Sequence, residues 1–228
     1  MKKLLICIII SGVAFAIQTD LGHLSHGGVS PFPDVPFPPT EDISVSQPFS
    51  YTTMSNALCF SGNYSMMIAD DITPVDNASI GVIEFWAICT NGNLTSIHIE
   101  ARDDASGPGS EILYNNDCTN ITTVSIGLYE WGYPLMNIVA TIDDTAKYNP
   151  VGGIKIWWIL QTSGSFGPDY WLVSDQIHSE QNYFSRDNGY SWTSSTYQWG
   201  YSYNCFFILS GDSLNLDDVT WAYIKRII

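Results

Sequence analysis

The chain has 228 residues, 45% hydrophobic and 14% charged, with 8 Lys+Arg against 23 Asp+Glu and a formal net charge of −15. That length fits one domain with appendages, and an apolar fraction near the globular average excludes a chain disordered throughout. Eight cations cannot neutralise a run of phosphates, so the charge argues against a nucleic-acid partner.

Lys2 and Lys3 precede the apolar run from Leu4 to Ile10, and the small residues Ala14 and Ala16 close it. This is the pattern of a secretory signal over residues 1–16, and it predicts an exported or cell-surface bacterial protein. The run is too short for a lasting span, and no later segment is apolar for long enough, so no membrane span is expected in the mature chain. Cleavage would take Lys2, Lys3 and Cys7, shifting the formal charge from −15 to −17. Four cysteines would remain, and in an oxidising compartment they read as two disulfides, Cys89–Cys118 and Cys59–Cys205. The competing reading is four buried thiols packing as small hydrophobes. No CxxC pair is present, so a zinc knuckle is not expected.

Residues 17–48 are a leader. Pro31, Pro33, Pro36, Pro38 and Pro39 favour extended polyproline conformation, which suits a spacer or a ligand for an aromatic groove. Residues 49–212 then read as the folded domain, built of short strands. Ile80 to Thr90 and Leu94 to Arg102 flank Asn91-Gly92-Asn93, a β-hairpin signal, and the second run alternates apolar and polar residues. A Pro-Gly turn at Ala105 to Ser110 follows. Further strands are expected at Ile121 to Glu130, Pro134 to Asp143, Gly153 to Thr162, Asp169 to Gln176 and Tyr203 to Gly211. Residues 213–228 form a tail in which Val219 to Ile228 could make a short helix. Many short strands bounded by turn residues, with no internal repeat, predict an all-β antiparallel sandwich of the jelly-roll kind.

The segments "MIADDITP", "GVIEFWAICTNGNLTSIHIEARDDASGPGSEILYN", "KIWWILQT", "DYWLV" and "NCFFILSGD" resemble a loose group of secreted bacterial β-sandwich domains. Those domains are similar in fold to carbohydrate-binding modules and often occur in cell-surface proteins. The resemblance implies a sandwich over Tyr64 to Asp212 and an extracellular setting. It rests on diffuse patterning and brings no catalytic motif with it.

The sequence has no GxSxG elbow, HExxH, P-loop or GxGxxG. His98 sits on the wet face of a strand. Five glutamates, Glu84, Glu100, Glu111, Glu130 and Glu180, could in principle pair for glycoside hydrolysis, which needs two carboxyls across one cleft. Glu84 interrupts an apolar strand. Aspartate doublets suit hard-cation ligation from several loops, so a structural calcium is conceivable, with Asp70 and Asp71, before the first strong strand, as candidate ligands. They equally suit turn capping.

The sharpest signal is aromatic. Fifteen of the chain's 31 Phe, Trp and Tyr residues fall between Lys155 and Ser210. Adjacent pairs such as Trp157-Trp158 put one ring on each face of a strand. From Tyr190 to Tyr203 the rings alternate with Ser, Thr, Gln and Gly, a mixture that suits stacking on a sugar face. Trp192, Trp199, Tyr190 and Tyr197 are the candidate platform, and core packing is the plainer alternative. The expectation is a non-catalytic binder of glycan or another surface ligand. A structural or adhesive subunit with protein partners and a carboxylate hydrolase are the alternatives.

Overall fold

Val82 to Cys89 reads VIEFWAIC, apolar on both faces, and such a strand is stable only where both faces are covered. It forms β5 (Val82–Cys89), buried along its whole length. The computed structural model describes residues 23–25, 43–47, 49–74, 79–90, 92, 94–163, 167–176 and 180–211. The expected signal segment, most of the proline-rich leader and the tail lie outside the described residues.

Around β5 the first sheet gathers β1 (His23–Ser25), β2 (Ile43–Gln47), β3 (Met54–Cys59), β8 (Ile121–Glu130), β9 (Tyr133–Thr141), β11 (Asp169–Ser174), β14 (Asn204–Cys205) and β15 (Phe207–Ser210). One edge of β5 is shared: β11 pairs with its Ala87 to Cys89 end and β15 with Val82 to Phe85. Its other edge is taken by β9, and β8 lies beyond as the outermost strand. The second sheet runs β13 (Thr193–Ser194), β12 (Tyr183–Ser185), β4 (Met67–Ile72), β10 (Ile156–Ser163), β6 (Ser96–Asp104), β7 (Pro108–Cys118). All pairings between these strands are antiparallel, and the two sheets pack face to face as a β-sandwich.

The apolar face of β6 is as expected, with Ile97, Ile99 and Ala101 buried in the main core, but the opposite face is not wet: Glu100 and Arg102 are buried on it and His98 is only partly exposed. The hairpin expected at Asn91-Gly92-Asn93 is not formed. β5 and β6 belong to different sheets, so the chain crosses the sandwich between them. The physical reason is that both edges of β5 are already occupied, by β9 on one side and β11 with β15 on the other. The link from β10 to β11 crosses sheets in the same way.

Trp157 and Trp158 part as alternation requires. Trp158 lies in the main core beside Tyr114 and Tyr148, and Trp157 joins Met67, Ala69 and Ile159 in a smaller cluster on the outer face of the second sheet. From the first sheet Phe85 and Trp171 meet Phe60, and Phe207 meets Trp171, at ring separations near 6 Å.

The four cysteines among the described residues are buried free thiols, which corrects the expected disulfides. Strand register supplies the reason. Cys59 pairs opposite Tyr170 and Cys205 opposite Val173, so they flank β11 from opposite sides. Two inter-strand spacings alone put them ~9–10 Å apart, beyond disulfide reach. The Cys118 thiol donates to the carbonyl of Thr141, which pairs with Val82 at the far end of β5 from Cys89. Seven residues of strand separate those ends, ~23 Å.

Candidate functional site

The outer face of the second sheet is built around one buried cation. Arg102 on β6 is paired with Glu100 two residues back on the same face, and Glu100 also meets the Nε2 of His98 at 3.5 Å. The His98 Nδ1 lies 2.7 Å from Asp117 on β7. Bonding to Glu100 leads the effects that raise the His98 pKa. Burial works to raise Glu100, but its bonds with His98 and Arg102 outweigh that and hold it below the usual carboxylate range.

Arg102 also donates from Nη1 to the carbonyl of Gly189 at 2.9 Å, and its guanidinium lies 5.4 Å from the Trp192 ring centre. Both partners belong to the turn between β12 and β13. That turn is self-clamped. Ser185 Oγ accepts from the amides of Asp187 (3.2 Å) and Gly189 (2.8 Å) and donates to Asp187 Oδ1 (2.7 Å). Asp187 in turn accepts from the Ser191 amide (2.9 Å) and hydroxyl (2.6 Å). The two bonds from Ser191 and the one from Ser185 hold the Asp187 carboxyl down at about 2. Asn188 and Gly189 both take left-handed backbone, φ 55° and 81°. A Cβ on Gly189 would also sit 2.7 Å from the Arg102 guanidinium, so position 189 needs glycine twice over.

At the crest of this turn Tyr190 is 91% exposed. Immediately after β13 comes α1 (Ser195–Trp199), capped at its start by Ser194 Oγ accepting from the Tyr197 amide and closed by Gly200 at φ 78°. The helix points Trp199 inward, 4.6 Å from the Phe184 ring centre, and leaves Tyr197 86% exposed. Tyr201 follows at 61% exposure, stacked on buried Tyr203. The four expected platform residues therefore divide. Trp192 and Trp199 are half-buried packing residues, on the outer-face cluster and the main core respectively, and Tyr190 and Tyr197 are the presented rings. Tyr201 joins them as a residue that sequence reasoning missed. The clamp was also missed, although its signal is legible as Ser185-x-Asp187-x-Gly189-x-Ser191-Trp192 around an Asn-Gly turn pair.

Asp70 and Asp71 lie within β4, not in a loop before a strand. Asp70 is fully buried and accepts from the Cys205 amide at 2.6 Å; Asp71 accepts from the Glu180 amide at 2.9 Å. Alternation sends their carboxylates to opposite faces, so the structure does not bring them together as one ligand set. Among the described residues no cluster of three or more His, Cys, Asp and Glu is arranged to hold a metal ion. Nor are the glutamates gathered across one cleft. Glu84 is buried in the first sheet against Asn137 Nδ2, Glu100 is engaged with Arg102 in the second, Glu130 accepts from Tyr51 and Glu180 pairs with Lys155.

Burial raises the Asp70 carboxyl well above its usual range, against the lowering effect of its hydrogen bonds. A carboxyl raised in the fold stabilises it fully only below the unfolded value, and that contribution is lost as pH rises toward the folded value. Asp70→Asn keeps an acceptor for the Cys205 amide and has no charge to bury. The variant is expected to unfold at the same temperature as wild type near pH 4 and at a higher one at pH 8, as read by thermal denaturation across pH.

No family model matches the chain, and no curated protein or solved structure matches it.

Proposed function

We propose that this chain is an exported, non-catalytic β-sandwich that binds a glycan at the bacterial cell surface through Tyr190, Tyr197 and Tyr201. The observation that carries the reading is the exposure of Tyr190 and Tyr197, 91% and 86%, on backbone that is otherwise tightly fixed. An aromatic ring presented on a clamped turn loses little conformational entropy when a ligand stacks on it. Beside the three tyrosines in the chain stand polar residues of the kind a sugar's hydroxyls would need: Asn188, Ser191, Thr196, Gln198 and Ser202. The charge favours a neutral ligand. Arg102, Lys147 and Lys155 are each paired with carboxylates, and Arg186 lies over the Phe184 ring. The signal-like residues 1–16 and the resemblance to secreted sandwich domains support the extracellular setting.

The test is a glycan and polysaccharide binding screen, followed by Tyr190→Ser and Tyr197→Ser. Each substitution removes one stacking ring and is expected to weaken binding about tenfold, ~1.4 kcal/mol, with the unfolding temperature unchanged. A screen in which no glycan is retained sinks the proposal. A hit indifferent to both substitutions moves the site elsewhere on the sandwich.

A further inference from the structure

A second surface lies apart from the tyrosines. β8 and β7 are the outermost strands of their sheets: among the described residues β8 pairs only with β9, and β7 only with β6. Exposed apolar side chains gather along them, with Ile112 and Leu113 on β7, Val124 and Tyr129 on β8 and Tyr133 at the start of β9. No residue of β8 is fully buried.

An edge such as that of β8 over Ile121 to Ser125, beside which no further strand lies among the described residues, offers alternating amides and carbonyls, so what completes it is an extended strand. Natural edges are usually blunted by lysine, proline or inward charge. β7 carries Pro108, Glu111 and Asp117, and its register with β6 is broken twice. β8 carries no charge from Ile121 to Tyr129 and no proline. Its register with β9 is regular from Ile121 to Ser125 and breaks only beyond, where Gly127 takes φ 77°. That leaves a flat, uncharged five-residue edge on a chain of net charge −15.

We propose that β8 pairs antiparallel with β8 of a second copy, joining the first sheets of two molecules across a two-fold axis at Thr123. Thr122 then faces Val124 of the other copy and Ile121 faces its Ser125, a run of β-branched neighbours suited to cross-strand packing. Self-pairing of this kind is isologous and closes at two. A second copy fits this edge because nine consecutive uncharged residues let two acidic molecules meet without bringing carboxylates into register. Repulsion between the remaining surfaces opposes the dimer and is screened by salt, the Debye length falling from about 30 Å at 0.01 M to about 8 Å at 0.15 M.

Sedimentation equilibrium of the purified protein up to about 100 µM tests this. Wild type is expected to dimerise, more tightly at 0.15 M salt than at 0.01 M. Val124→Asp sets two carboxylates near the axis and is expected to weaken dimerisation at least about tenfold, while Val124→Thr leaves it intact. Far-ultraviolet circular dichroism checks that both variants keep the fold, and Thr122→Glu gives a second route if Val124→Asp does not. A wild-type protein that stays monomeric in both salts overturns the proposal. So does a dimer that survives the folded charged variants or one abolished by Tyr190→Ser alone.

Discussion

Arg102→Met is expected to lower stability by about 3–5 kcal/mol, because it leaves Glu100 as a buried charge without its cation. Arg102 and Glu100 are both nearly inaccessible, with 10% and 5% of their side-chain surface exposed, so water cannot take over. The loss extends to the Gly189 carbonyl and the face of Trp192, which the guanidinium also engages. The turn that presents Tyr190 should therefore loosen along with the fold. Denaturant unfolding gives the stability, and quenching of tryptophan fluorescence by iodide reports the freed turn. Glu100→Gln in the same chain removes the orphaned charge and should recover part of the stability. An unchanged unfolding midpoint in the single variant would show that the pair contributes nothing net.

Trp171→Ala is the other large effect, expected at about 3–5 kcal/mol through the lost transfer energy and the cavity left behind. Trp171 is completely buried where Phe60, Phe85 and Phe207 converge, and its Nε1 donates to the Phe206 carbonyl at 2.9 Å. That carbonyl lies at the break between β14 and β15, so the variant deprives it of its indole donor at the point where the last strands change partners. Trp171→Phe restores much of the volume but not the donor. It should fall between the two, and chemical denaturation of the three proteins ranks them.

How far the sequence spoke depended on the range of the interaction. β8 was legible residue for residue, since Ile121 to Glu130 carries its own β propensity and is bounded by Asn120 and Trp131-Gly132. The apolar face of β6 and the division of Trp157 from Trp158 were equally local. The Asn-Gly turn after β5 misled, because the choice between hairpin and sheet crossing is made by β9, β11 and β15, up to 120 residues away. β4 was hidden by Asp70 and Asp71, which look like loop residues until their acceptors are seen to serve the Cys205 and Glu180 amides. In the candidate segment the structure exposes Tyr190 and Tyr197 and packs Trp192 and Trp199 against neighbouring clusters. Which of Tyr190 and Trp192 turns outward is fixed by Asp187 and by Arg102, one from the turn itself and one from a strand, 87 residues before the Gly189 it bonds.

The four thiols turn the sandwich into a record of its own opening. Cys59, Cys89, Cys118 and Cys205 sit on β3, β5, β7 and β14, each sealed from solvent and each with its thiol pushed up by burial. An alkylating reagent meets them only when the strands around them part, so labelling at each position clocks a different cooperative unit. The same seal sets the hazard of oxidation. A Cys59–Cys205 bond formed before closure would tie together two positions that β11 must separate, and that chain could not complete its first sheet.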